Sequence, residues 1–288
     1  MTVIERINDE RLTLSFEVFP PKTDAALSDV VKATEEIARL RPSYMSVTYG
    51  AGGGSRHTLD VAKRLCLEGT PIMPHLTCVG ATRRGVREFL DRLKEYGIRD
   101  VMVLRGDLPK DTPWQEPDYP HASDLIRDIR AQGDFCIGAA CYPEVHPESA
   151  SQKEDIRWLR EKVDAGADFL TTQMFFDNNV LYNFLYKLRE AGVTVPVVPG
   201  IMPITGANQV RRAVELSHSF VPRRFESLVD RFSGSPDALR QAGILYAADQ
   251  IVDLYANGIR HVHVYTMNKP EVARAICAHL SELIGKAF

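Results

Sequence analysis

One joint recurs along this chain: an amphipathic run with helical spacing ends at a glycine, and an apolar run follows within a few residues. It occurs at Gly97 in EYGIRD, Gly166 in DAGADF, Gly192 in EAGVTV and Gly258 in ANGIRH. A glycine there can cap a helix in the left-handed conformation, and the apolar run behind it has the length and alternation of a strand. Read end to end by this rule, the chain predicts strands over Leu12–Phe19, Tyr44–Tyr49, Ile72–Val79, Asp100–Gly106, Phe135–Tyr142, Phe169–Phe175, Val195–Ile201 and His261–Met267. Helices are expected near Asp24–Leu40, Arg56–Leu67, Arg83–Tyr96, His121–Gln132, Ser151–Ala165, Asn178–Ala191, Ala207–Ser217, Asp237–Asn257 and Pro270–Leu283. Only Ser219–Pro236 breaks the rhythm, as an insertion with a short helix before the last long helix and strand. Eight strand-helix repeats fit an α/β fold of one closed (β/α)8 TIM barrel better than an open doubly wound sheet, and residues 1–288 read as a single domain.

Composition narrows the partners. A net charge of -3 argues against nucleic acid or an anionic membrane surface, since either calls for a basic face. There is no long apolar run, and the start MTVIERINDERLTL carries charges where a signal peptide needs its apolar core, so a cytoplasmic protein is expected. The five cysteines are scattered with no C-x-x-C, which reads as reduced, mostly buried thiols.

A barrel places its chemistry at the carboxyl ends of its strands. The apolar stretch Val101–Leu104 ends there in Arg105, Gly106 and Asp107, and the rigid polar loop Tyr142-Pro143-Glu144-Val145-His146-Pro147 follows another strand. Alternation points Ser15, Glu17 and Phe19 inward, with Ser46, Thr48, His75, Thr77, Thr171, Gln173, His261, His263 and Tyr265. So polar a lining needs either a hydrogen-bonding ligand or layered water. Glu17, between Phe16 and Val18, is expected to be desolvated with a raised pKa; it reads as a general acid or as a structural carboxyl. His261 and His263 share a face but have no third ligand at close spacing, so no metal is assigned.

With these residues in view, the chain resembles the methylenetetrahydrofolate reductase family, in its bacterial form of a catalytic barrel alone. The stretches that carry the likeness are SFEVFPPK from Ser15, SVTYGAGG from Ser46, PHLTC from Pro74, LRGDLP from Leu104, YPEVHPE from Tyr142, KVDAGAD from Lys162, TQMFFD from Thr172, PGIMPI from Pro199 and HVYTMNK from His263. The resemblance implies an FAD enzyme that takes a hydride from NADH or NADPH and reduces 5,10-methylenetetrahydrofolate to 5-methyltetrahydrofolate in a two-step, ping-pong cycle. By position, Glu17 would be the acid that protonates the folate bridge nitrogen, and Asp107 would sit between flavin and pterin. Thr48, Tyr49, His75, Arg105, Gly106, Asp107, Ala122, Tyr142, His146, Asp155 and Lys162 match cofactor-lining positions. Gln173, Gln209 and Lys269 match positions beside the substrate.

Three residues depart from the family pattern. Trp158 and Glu161 stand where a small polar and a basic residue are often found near the FAD phosphates and adenosine, and Ala213 replaces an aromatic that stacks on nicotinamide. They motivate a second reading, with FMN, weak flavin binding or electrons from a partner subunit. A third reading is a folate-binding barrel module without redox chemistry. A homo-oligomer is expected.

Overall fold

The computed structural model of the chain describes residues 1–21, 23–49, 55–106, 118–217 and 219–285, with the side chains of 55, 56 and 215–217 outside that set. Asp107 therefore lies outside the described residues, as does Lys22. The four glycine joints all have positive φ: 74° at Gly97, 116° at Gly166, 78° at Gly192 and 85° at Gly258. An L side chain is strained there, so glycine ends each helix and frees the chain to enter a strand.

The strands are β1 (Thr13–Val18), β2 (Met45–Val47), β3 (Ile72–Thr77), β4 (Asp100–Leu104), β5 (Cys136–Cys141), β6 (Phe169–Thr172), β7 (Val197–Val198), β8 (Gly200–Ile201) and β9 (His261–Tyr265). They form one sheet in the order β7-β6-β5-β4-β3-β2-β1-β9-β8, and every pairing is parallel. β7 and β8 are the two halves of the strand expected over Val195–Ile201. Pro199 separates them and cannot donate to the ladder, but its carbonyl accepts from the amide of His263 at 2.8 Å. Because β7 pairs with β6 and β8 with β9, the sheet closes on itself, and the (β/α)8 barrel expected from the sequence is what forms.

Helices shield the outer face. Leu90 and Leu93 on Arg83–Glu95 and Ile126 and Ile129 on Ala122–Ala131 are buried in one apolar cluster with the outward side chains Val101 and Val103 of β4. The inserted helix, Arg223–Phe232, forms within the segment that broke the rhythm. Its Phe225 stacks on Phe176 with ring centroids 4.9 Å apart.

The amino-terminal helix Val3–Ile7 is too short to carry a periodic signal, and nothing in the sequence pattern pointed to it. It closes the floor of the barrel: Val3 and Ile7 are buried with Tyr44, Met73, Met102, Cys136, Phe169 and Val198, and the Val3 amide donates to buried Asp100 Oδ1 at 2.6 Å. This corrects the expectation of a polar interior throughout. The amino-terminal end is an apolar plug, and the polar residues lie above it. Gly138 on β5 makes the plug possible, because a Cβ there would meet Phe169 Cζ at 2.7 Å and Met102 Sδ at 3.1 Å.

Candidate active site

Register decides which inward side chains meet. Glu17 on β1 lies beside Ser46 of β2 and Tyr265 of β9, and one layer below, Ser15 lies beside His263. In parallel strands, side chains at matched register point to the same face, so the alternation along β1 becomes a set of stacked polar layers. Glu17 is thereby turned into the barrel, with Ser46 Oγ donating to its Oε2 at 3.4 Å. His75 Nε2 is 3.6 Å from that oxygen, and His263 Nε2 is 3.7 Å from it. The Glu17 side chain keeps 21% of its surface exposed, at the carboxyl end of β1. Thr266 Oγ1 donates to the Glu17 carbonyl at 2.7 Å. The Asn268 carboxamide both accepts from the Phe19 amide and donates to its carbonyl, at 2.9 and 2.8 Å. The strand end that carries the acid is thus clamped by the loop after β9.

The electrostatics revise one expectation. Burial pushes the Glu17 carboxyl up, as the sequence suggested. The hydrogen bond from His263, the fields of His75 and His263 and the bond from Ser46 together outweigh burial, so it sits below the usual carboxylate value. Burial holds His75 down to about 4, against the pull of Glu17. Its imidazole is therefore uncharged near neutrality. Burial likewise holds His261 down to about 3, with His263 adding to the effect.

Those two histidines give the fold a pH dependence of definite sign. Both lie below the ordinary histidine value of 6.5, so on acidification the unfolded chain takes up protons that the fold refuses. Stability rises with pH across the window from about 4 to 6.5, by up to about 1.4 kcal/mol per pH unit for each histidine. Urea midpoints should be lower at pH 5 than at pH 7, and the difference should shrink in His261→Asn. Equal midpoints in the native chain would contradict the burial of neutral imidazoles.

The remaining candidate residues fall into two further groups. Around the ends of β4 and β5, Arg105 makes a bidentate pair with Glu148, one arm of it 2.8 Å long. Tyr142 packs edge-on against His146 at 4.7 Å. Asp155, 6% exposed, accepts from the His146 amide and from Ser149 Oγ, each at 3.2 Å, and so pins the loop. Lys162 Nζ donates to the Ala140 carbonyl at 2.9 Å. Burial pushes this amine down while Cys141 and Asp155 push it back. Burial lowers His146 as well, with Arg105 adding to it. Gly106, at φ 85°, has no room for a side chain, since a Cβ would come within 3.0 Å of Thr77 Cβ. Ala122 is buried at the start of its helix.

Across the mouth, Gln209 and Lys269 meet through Thr205. The ammonium donates to Thr205 Oγ1 at 2.8 Å, which donates to Gln209 Oε1 at 3.0 Å. Gln173 Oε1 accepts from the Met174 amide at 2.9 Å, and Thr48 accepts through its carbonyl from Thr58 at 2.9 Å. Tyr49 is tilted against Phe89, centroids 6.3 Å apart. Of the departures, Trp158 stacks on His121 at 5.3 Å and Ala213 is buried with Met174, Phe176, Ile204 and Phe225. Ser46, His263, Thr205 and Glu148 were missing from the candidate site. The first two stood on the predicted inner face, and the strand register is the signal that would have promoted them.

A closed parallel barrel that turns an acid into its interior near the carboxyl end of β1, beside one serine and two imidazoles, has the layout of barrels that carry their chemistry at that end. The model of the family described as methylenetetrahydrofolate reductase matches residues 2–281. The 5,10-methylenetetrahydrofolate reductase of Pectobacterium carotovorum subsp. carotovorum is 36% identical over 272 residues, covering 93% of this chain and 89% of that one. The protein of the same name from Escherichia coli (strain K12) is 34% identical over 269 residues, covering 93% and 90%. A Zea mays protein named methylenetetrahydrofolate reductase (NADH) 1 is 35% identical over 303 residues, which take in 97% of this chain and 51% of the plant one. A solved Clostridium thermocellum structure, described as binding two copies of 5-methyl-5,6,7,8-tetrahydrofolic acid, superposes with a TM-score of 0.67 at 13% identity over 98% of this chain and 99% of that one. That likeness speaks for the fold alone. This chain belongs to the methylenetetrahydrofolate reductase family, a family of oxidoreductases of folate one-carbon metabolism.

Proposed function

We propose that the chain is a flavin-dependent reductase that uses NAD(P)H to convert 5,10-methylenetetrahydrofolate to 5-methyltetrahydrofolate in a ping-pong cycle, with Glu17 as general acid. The observation that carries this reading is the inward Glu17 at the barrel mouth, held by Ser46 and facing His75 and His263. FAD, when bound, supplies a two-electron relay between nicotinamide and folate.

The residues present fit such a group. His75 has both ring nitrogens buried without a hydrogen-bond partner among the described residues, and a neutral imidazole offers one donor and one acceptor to a polar ring. The missing side chain at Gly106 lets backbone come close to something flat. Thr48, Tyr49, His75 and Gly106 would hold the ring. Arg105, Ala122, Tyr142, His146, Asp155 and Lys162 would hold the ribityl chain, phosphates and adenosine, where two cations, Arg105 and Lys162, favour an anion.

Glu17 then works as a switchable acid. Ser46, His75 and His263 hold its carboxyl low against burial; a substrate covering the part still exposed deepens that burial and drives the pKa up, so the proton is held where the folate bridge nitrogen lies. Donation to that nitrogen opens the five-membered ring to the iminium that accepts the hydride. Gln173, fixed by its oxygen, meets the pterin with its NH2 end, and Asp107 is assigned to the pterin by family position. Thr205→Val should leave the fold and the bond from the residue 205 amide to Gln209 Oε1, 2.7 Å, intact but release Lys269, raising the KM for folate about two- to tenfold. An unchanged KM would remove the bridge from the substrate site.

The absorption spectrum of the purified protein tests the cofactor, together with chromatography of what it releases on denaturation. FAD is expected. A colourless protein that gains no flavin absorbance on addition of FAD or FMN would contradict the reading.

A further inference from the structure

Behind Glu17, five side chains form one file down the barrel: Ser46, His263, Ser15, His261 and Thr13. Ser46 Oγ is 3.1 Å from His263 Nε2. His263 Nδ1 is 2.7 Å from Ser15 Oγ, which is 3.1 Å from His261 Nε2. Thr13 Oγ1 closes the file on His261 Nδ1.

The direction of these bonds follows from counting protons. A carboxylate only accepts, and a hydroxyl has a single proton to give. With Glu17 ionised, the Ser46 proton points at its Oε2, so the contact between Ser46 and His263 must be made by a proton on His263 Nε2. In a neutral His263, Nδ1 then accepts from Ser15, whose other acceptor, the Val262 carbonyl, is farther away at 3.4 Å. Having given its proton, Ser15 receives one from His261 Nε2, and His261 Nδ1 accepts from Thr13. Glu17, an acceptor only, sets the polarity at one end, and the Thr13 hydroxyl, with His261 Nδ1 as its partner, completes it at the other. Tyr44 lies flat against both rings, 5.3 Å from His261 at 4° and 5.6 Å from His263 at 12°. Tyr44 belongs to the apolar floor, so neither imidazole can turn over without unpacking it.

We propose that Thr13 and His261 are positioning residues that keep the proton of His263 on Nε2, so that His263 offers a donor, not a lone pair, to the Ser46–Glu17 pair. The inference rests on Glu17 being the acid of the proposed reaction. A donor there stabilises the carboxylate and keeps the acid ready to release its proton; the opposite tautomer aims a lone pair at it and disfavours ionisation. The partner of a ring's far nitrogen fixes the near one, as around metal-bound histidines. The other titratable groups facing Glu17 are His75 from β3, Tyr265 from β9 and Tyr44 before β2, and all three stay in place in the variants below.

The test is long-range 1H–15N NMR of the histidine-labelled full chain, native and carrying Thr13→Val or His261→Phe. Neither position is placed in contact with substrate or cofactor. The native chain is expected to show His263 protonated on Nε2 alone near neutral pH, and each variant a second tautomer. In the variants, the pH at which folate-driven flavin reoxidation declines should move up by about one unit, the size of one hydrogen bond, while reduction by NAD(P)H is unaffected. A native His263 protonated on Nδ1 or on both nitrogens overturns the proposal. So do variants in which neither tautomer nor pH profile moves. If the native tautomer is as stated and the variants disturb it, but folate never reoxidises the flavin, the reductase reading fails and the tautomer lock stands.

Discussion

Glu17→Gln is expected to slow the reoxidation of reduced flavin by 5,10-methylenetetrahydrofolate about 100- to 10,000-fold, the usual contribution of a positioned acid. Glutamine has nearly the same volume and still accepts from Ser46, so the layer of Ser46, His75 and His263 stays packed. What it lacks is a proton to give. Reduction of the flavin by NAD(P)H needs no acid at this position and should proceed almost unchanged. Rapid-mixing absorbance of each half-reaction separates the two, and an equal loss in both would take the role of acid away from Glu17.

Gly243→Ala is the second large effect, and it falls on stability and substrate together. In a helix interior this exchange normally stabilises by about 0.5–1 kcal/mol. Here Gly243, buried on the helix Pro236–Ala256, faces the backbone of Ile204 so closely that a Cβ would lie 1.7 Å from its carbonyl oxygen. A backbone atom has to move, and overpacking of this kind costs about 1–3 kcal/mol. The displaced residue precedes Thr205, which joins Gln209 to Lys269, so the KM for folate should rise as the urea midpoint falls. A stabilised protein with native KM would show that the helix and this loop can part freely.

The parts of this molecule that could be read from sequence are those whose signal is local. Helix-ending glycines with positive φ and strands that alternate with period two gave the barrel, and the same alternation turned Glu17 inward. What could not be read depended on partners far along the chain. The downward shift of Glu17 comes from Ser46, His75 and His263, which only strand order and register bring to it; β1 by itself, with Phe16 and Val18 flanking the acid, suggested the opposite sign. The floor has no local signal because it is assembled from single residues on or beside successive strands, Tyr44, Met73, Met102, Phe169 and Val198, and capped by a five-residue helix. Gln209 and Lys269, distant in sequence, share Thr205, a link no local pattern shows. Trp158, a departure from the family pattern, is accounted for by its stack on His121; nothing in the structure explains Glu161.

The most direct trial of the central claim, that a barrel-mouth carboxyl delivers a proton to folate beside a flavin, is an anaerobic two-step titration of the purified chain. NADH or NADPH should bleach the flavin band, and 5,10-methylenetetrahydrofolate added afterwards should restore it with formation of one equivalent of 5-methyltetrahydrofolate. A band that bleaches but returns only on admission of oxygen would contradict the account.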